Sequence, residues 1–321
     1  MSPISSPISK KTPSVPQRYS VYGVTLVSKF CLSLPHAEGG NDGIAITLED
    51  VGSEAFQSLL SDLPVDPQQR FQQVVLETGD LYMRWRGWFD FVVSSDGRRV
   101  LCRNLSNVAL ERFEAYLTNF AISAALVQLG EEPLHSTVVE IEGRAIGLLG
   151  YSGTGKSTLA SYLIQRRGDL VTDDMLRVTF EGQHALAHPG PYRLKLFKDP
   201  ADRYLREVAS VDCWTPGGKL IYELGDPRKA RGARRLSAFY QLCRSGNEVS
   251  VAAERITGLE LFKTISASSM NIRLHTPARL TRHFHFAERI AGLLPVYRLT
   301  YPTNFEILSQ VAEHIYDSGL K

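Results

Sequence analysis

Ala145-Ile146-Gly147-Leu148-Leu149-Gly150-Tyr151-Ser152-Gly153-Thr154-Gly155-Lys156-Ser157 is the stretch on which the reading of this chain turns. Residues Gly150 to Ser157 fit the pattern G-x4-G-K-[ST] of a phosphate loop (P-loop). The apolar run before it predicts a short strand. Thr158 to Arg167 carries helical periodicity and stops at Gly168, so the loop stands between a strand and a helix. Glycines let successive backbone N–H groups face one centre, and the helix N-terminus adds positive potential there. Gly150, Ser152, Gly153, Thr154, Gly155, Lys156, Ser157 and Thr158 are therefore the expected nucleotide-binding residues, with Lys156 on the β/γ-phosphates and Ser157 on Mg²⁺. A nucleoside polyphosphate is the ligand this geometry implies.

A second element follows at once. Leu170-Val171-Thr172 predicts a strand that ends in Asp173-Asp174, and a carboxylate at the carboxyl end of a strand can meet ligand over a parallel sheet. Adjacent residues on an extended chain point to opposite sides, so the two aspartates should divide the work. One would face Mg²⁺ and the other an incoming hydroxyl, as general base. His135 precedes the strand next to the phosphate-loop strand and is a further candidate; by itself a histidine there reads equally as a surface or capped residue.

Outward from this core, Asn107 to Gly130 predicts one long apolar helix. Residues 19–106 read as strands, with hairpins around Gly79-Asp80 and Asp96-Gly97. Trp85, Trp88, Phe89 and Phe91 fit the core of those hairpins better than a ligand platform. Downstream, strands are expected at Leu176 to Phe180, Tyr192 to Phe197, Lys219 to Leu224, Leu236 to Leu242 and Pro295 to Leu299. Helices are expected at Pro200 to Val208, Ala278 to Leu293 and Asn304 to Tyr316. The expected organisation is a disordered tail at 1–18, a β-rich domain with its closing helix at 19–128, and a P-loop domain at 129–321.

Composition excludes several classes. The net charge is +2, which gives no argument for nucleic acid or an anionic membrane surface. No window has the roughly eighteen apolar residues of a membrane span. Four scattered cysteines suggest neither zinc nor a disulfide framework. A cytoplasmic protein without nucleic-acid or membrane partners is the expectation. The cluster Arg228-Lys229-Ala230-Arg231-Gly232-Ala233-Arg234-Arg235 reads either as a solvated loop or as arginines that grip phosphate or an acidic substrate. His283 and His285 lie two apart in a helical stretch, where side chains do not converge on a metal.

Three segments together, Leu134-His135-Ser136-Thr137-Val138-Val139-Glu140-Ile141, the loop Gly150 to Ser157, and Leu170-Val171-Thr172-Asp173-Asp174, resemble the catalytic core of the HPr kinase/phosphorylase family. The likeness extends to the HPr-kinase-related proteins of peptide-modification clusters, including lasso-peptide kinases, which have an element similar to Pro189 to Leu196. It covers about residues 130–300.

The resemblance implies an α/β fold. Its core would be a compact P-loop kinase domain of the HPr kinase/phosphoenolpyruvate carboxykinase type, with a smaller β-rich N-terminal domain. It implies a Mg-ATP-dependent kinase acting on a serine or other hydroxyl of a protein or peptide, and a homo-oligomer. By position, Asp173 would be the base, Asp174 and His135 would support it, and Ser157 with Asp174 would hold the metal. The family's Ile-Arg-Gly-Leu-Gly-like signature is missing here, with Glu223-Leu224-Gly225 its nearest remnant. Two other functions share these residues: a kinase for a small metabolite, and a regulatory protein that binds ATP without phosphorylating an acceptor.

Overall fold

A computed structural model describes residues 15–38, 43–51, 56, 68–105, 108–205, 210–215, 217–226, 231–246 and 250–319. It is a mixed α/β structure in two compact units, one within residues 1–131 and the other within 132–321.

The first unit is a seven-stranded sheet made of β1 (Gln17–Val21), β2 (Val24–Ser28), β3 (Ala45–Asp50), β4 (Phe71–Val75), β5 (Leu81–Trp85), β6 (Phe89–Val93) and β7 (Arg99–Asn104). Their order is β1-β2-β3-β7-β6-β5-β4. Strands β1 and β2 form an antiparallel hairpin turned at Tyr22 and Gly23. Both have positive φ (53° and 67°), as a two-residue turn between right-twisted strands requires. Strand β1 starts at Gln17, so it takes the last residues assigned to the tail; residues 1–14 lie outside the described set. Trp85, Phe89 and Phe91 are buried. Trp85 stacks on Phe71, Phe89, Tyr116 and Phe120 within 4.6–5.5 Å, which makes these rings core, as expected.

The predicted long helix runs Leu110–Tyr116, widens through a π-helical turn at Leu117–Ala121, and continues as Ile122–Gln128; together these form α1. Apolar periodicity does not reveal the π turn. Side chains bond back onto the backbone around it: Thr118 Oγ1 to the Glu114 carbonyl at 2.7 Å and Ser123 Oγ to the Asn119 carbonyl at 2.6 Å.

The second unit contains β8 (Ser136–Ile141), β9 (Arg144–Leu149), α2 (Lys156–Gln165), β10 (Asp169–Thr172), β11 (Val178–Glu181), β12 (His184–Ala187), β13 (Arg193–Leu196), α3 (Lys198–Tyr204), β14 (Ser210–Trp214), β15 (Leu220–Glu223), β16 (Arg234–Ser245), β17 (Ala252–Ile256), α4 (Gly258–Ala267), α5 (Pro277–Leu293), β18 (Val296–Pro302) and α6 (Leu308–Gly319). The main sheet runs β10-β8-β9-β16-β12-β11, with β18 on β16 and β17 on β18. A smaller antiparallel sheet is ordered β13-β15-β14. Strands β9, β16 and β18 are mutually parallel. The sheet is mixed rather than wholly parallel, since β8 lies antiparallel between β9 and β10. Two reversals restore direction, so β10 ends at the same edge as β9, β16 and β18. His135, just before β8, lies at that edge too. Strand order thus brings the three separate sequence segments to one place.

Both faces of the main sheet are covered, and alternate residues divide between them. Val139, Ile146 and Leu148 pack with Leu159 and Leu163 of α2. Val138, Ala145 and Leu149 pack with Phe239, Ile265 and Ile290 on the other side. Gly147 belongs to that second face because Phe239 is paired to it, and a Cβ at Gly147 would come within 2.3 Å of the Phe239 ring. At the start of the unit, buried Glu132 accepts from Arg279 Nε and Arg282 Nε, both at 3.1 Å. His283 Nε2 lies 2.7 Å from Glu132 Oε2, without good hydrogen-bond alignment. His285 is exposed on the same helix. Among the described residues, no helix is long and apolar enough to cross a membrane.

Candidate active site

Strand β9 delivers the chain to Gly150 and α2 takes it up at Lys156. Between them the backbone adopts left-handed conformations at Gly153 and Gly155 (φ 91° and 99°). Gly155 is the residue before the helix, and no side chain caps α2. The first-turn N–H groups therefore stay available to an anion. The loop is held from inside: Thr154 Oγ1 donates to the Tyr151 carbonyl at 2.9 Å. Lys156 Nζ donates to the carbonyls of Gly150 at 2.6 Å and Tyr151 at 3.2 Å. The ammonium thus spans the mouth of the loop, on acceptors that phosphate oxygens can replace. Burial lowers the proton affinity of Lys156, against the opposing charge of Asp174. Ser152 and Gly153 are exposed at the tip, and Thr158 is the third residue of α2.

Opposite the loop, β10 ends in the aspartate pair. Asp173 is 5% exposed. Its Oδ1 accepts from Thr137 Oγ1 at 2.7 Å and from Ser157 Oγ at 3.4 Å, and its Oδ2 accepts from the Lys195 backbone N–H at 2.9 Å. Burial first, then the neighbouring Asp174 charge, push its proton affinity up against those hydrogen bonds. Asp174 is not extended as expected; its φ is 68°, a conformation that aspartate tolerates better than most residues. That turn sends its carboxylate to Lys195 Nζ at 2.8 Å. Burial works to raise Asp174, but the Lys195 ammonium overcomes it and holds the carboxyl well below the usual carboxylate range. Two adjacent carboxyls thus have proton affinities driven apart.

His135 is placed differently from the expectation that it acts on Asp173. Its Nδ1 lies 2.9 Å from the backbone carbonyl of Asp174. A carbonyl only accepts, so Nδ1 carries a proton. Burial, and after it the Lys156 charge, lower its proton affinity. It fixes the Asp173–Asp174 turn through the backbone, and after Lys195 its charge also works to lower Asp174.

Three residues of the site were not singled out from sequence. Lys195, on β13, holds both aspartates. Lys219 begins β15's approach from the β14–β15 turn, and its charge acts on Lys156, Asp173 and Asp174 together. Arg244, near the end of β16, donates from Nε to the Thr154 carbonyl at 2.9 Å and lies 4.6 Å over the Tyr301 ring. Its guanidinium fills the space where a Gly155 Cβ would stand, with Nη2 at 2.2 Å. The basic cluster supplies none of the site's ligands among its described members. Arg231 donates to the Val171 carbonyl at 2.8 Å and stacks on Tyr192, and Arg234 pairs with Glu140. Positions 228–230 lie outside the described residues.

The donors at this edge are a hydroxyl and carboxylates, which suit a hard cation such as Mg²⁺. Of these, Ser157 Oγ and the Asp174 carboxylate, which Lys195 holds ionised, would serve it. Among the described residues no group of three or more His, Cys, Asp or Glu side chains could hold a metal. Mg²⁺ needs no such cage, because it takes one or two carboxylates and completes its shell with phosphate and water.

No protein-family model matches the sequence, and no curated protein does. Among solved structures, the Hpr(Ser) kinase/phosphatase from Coxiella burnetii is similar over 58% of this chain and 97% of that chain, at 12% identity and a TM-score of 0.30.

Proposed function

We propose that this protein is a Mg-ATP-dependent kinase that transfers the γ-phosphoryl group to a hydroxyl, that of a serine in a protein or peptide. One observation carries the reading. A buried carboxylate with raised proton affinity, Asp173, faces the hydroxyl of Ser157 at 3.4 Å beside an uncapped helix N-terminus and its lysine.

Lys156 and the N–H groups of Gly153 to Ser157 bind and neutralise the β- and γ-phosphates. Asp173 takes the proton of the acceptor hydroxyl. The oxygen so activated attacks the γ-phosphorus while the bond to the β,γ-bridging oxygen breaks, and ADP leaves with that electron pair. A base works best when its proton affinity lies near the working pH, so the raised carboxyl of Asp173 suits this role. A metal ligand must be ionised, so the depressed carboxyl of Asp174 suits Mg²⁺ together with Ser157. Bound there, Mg²⁺ would supply charge neutralisation at the phosphate oxygens. Lys195, paired with Asp174 at 2.8 Å, keeps that carboxyl ionised for the contact. His135 keeps the aspartate turn in place through its bond to the Asp174 carbonyl.

The test is labelled transfer from [γ-³²P]ATP to serine-containing peptides and proteins, with the acceptor found by mass spectrometry. Acid-stable phosphoserine on one of them is the expected result. ATP turnover without any labelled acceptor would overturn the kinase reading in favour of a nucleotide-binding regulator.

A further inference from the structure

The catalytic edge holds a cation that the mechanism above leaves unused. Lys219 lies at the end of the turn joining β14 to β15. That turn is tied at both ends: the Thr215 N–H donates to the Lys219 carbonyl at 2.8 Å, the Gly218 N–H to the Thr215 carbonyl at 3.0 Å, and the Lys219 N–H to Thr215 Oγ1 at 3.2 Å. Gly218 has φ 78°, so the reversal is tight. It presents the side chain toward the β13 end, where Lys219 Nζ rests over the Phe197 ring, 5.6 Å from its centroid. Phe197 itself is 47% exposed and lies two residues beyond Lys195.

The ammonium is half-buried. Among the described residues it makes no hydrogen bond or ion pair, although Lys156 and Lys195 are both bonded to oxygen. The register of β13 on β15, Lys195 opposite Ile221 and Leu196 opposite Leu220, sets Lys219 beside the strand end whose Lys195 holds both aspartates. An aromatic face holds a lysine only weakly. It fixes the direction of the side chain without satisfying its three donors. A lysine so placed lacks only an anionic oxygen.

We propose that Lys219 is a catalytic residue that takes the oxygens of the transferring phosphoryl group from the side of the β13–β15 sheet, opposite Lys156. The inference rests on the kinase reading and deepens it. During transfer, charge spreads over the three equatorial oxygens of the phosphoryl group, and stabilisation by a cation already in place accelerates the step. Lys156 reaches these oxygens from the loop. Lys219 reaches them from the acceptor side, and the two cations flank the carboxylate that takes the proton. Phe197 is its rest position before nucleotide arrives.

The experiment compares the full-length protein with its Lys219→Met and Lys219→Arg variants. Dissociation constants for ADP and AMP-PNP are measured by calorimetry, and kcat and KM for transfer to the acceptor are measured beside them. Lys219→Met should leave ADP binding within about threefold. It should remove the preference for AMP-PNP over ADP and lower kcat by about a hundred- to a thousandfold. Lys219→Arg should recover most of kcat, since the charge is retained. Unchanged melting temperatures would show that the turn still folds. A Lys219→Met protein with normal kcat and an intact AMP-PNP preference overturns the proposal and leaves the kinase reading standing. A wild-type protein that binds neither nucleotide overturns both.

Discussion

The phosphate loop and the small β13-β15-β14 sheet each bring lysine to the same two aspartates, but by different means. In the loop, eight consecutive residues contain the whole proposed device: glycines for the turn, Lys156 for the charge, Ser157 as the proposed metal ligand, and a helix that no side chain caps. In the small sheet nothing is contiguous. Lys195 reaches Asp173 and Asp174 from one strand, and Lys219 reaches toward them from the turn before another. The loop is a local solution whose geometry follows from residue order. The sheet is a long-range one, whose geometry follows from register.

The lysines should therefore fail in different ways. Lys156→Met removes the charge on which the loop closes, and transfer should fall by about a thousandfold or more, with weakened nucleotide binding measured by calorimetry. Lys195→Met should cost less, about ten- to a hundredfold in kcat. The side-chain ion pair to Asp174 is lost while the backbone bond to Asp173 stays, and a charge-assisted bond of this kind contributes about 1.5–3 kcal/mol. Equal losses in both variants would erase the distinction between a loop that binds and a sheet that tunes.

Smaller effects sharpen the contrast. Gly155→Ala places a methyl against the Arg244 guanidinium and forces a left-handed alanine, at a cost of about 1–2 kcal/mol; nucleotide Kd should rise by about tenfold with little change in the kcat of bound substrate. Phe197→Ala removes only the resting place of Lys219. Its effect on kcat should stay within about threefold, and a much larger fall would mean that the ring itself touches substrate.

Legibility follows the same division. Strand β9, the loop, α2 and β10 could all be read from the sequence because apolar period, glycine placement and carboxylate position are local signals. Helix α4 was missed because it opens on Gly258, which reads as a breaker and here has φ 57°. Strands β12 and β17 were missed because short alanine-bearing segments carry little strand signal and become strands only by pairing. Arg244 sits 90 residues from the carbonyl it holds, and no spacing rule connects them. Asp173 and Asp174 do follow directly on a strand, but they are not extended as expected: Asp174 takes a left-handed turn whose partners, Lys195 and His135, are distant in the chain. The cluster at 228–235 illustrates the opposite case. Its density of charge drew attention, yet Arg231 and Arg234 are bound up with Val171, Tyr192 and Glu140.

The most direct measurement pairs ATP binding with phosphoryl transfer in Asp173→Asn. The amide keeps the shape of the side chain and cannot take the acceptor proton. ATP affinity should stay within a few-fold of wild type, and transfer should fall by about a hundred- to ten-thousandfold. Transfer at the wild-type rate in that variant would contradict the account at its centre.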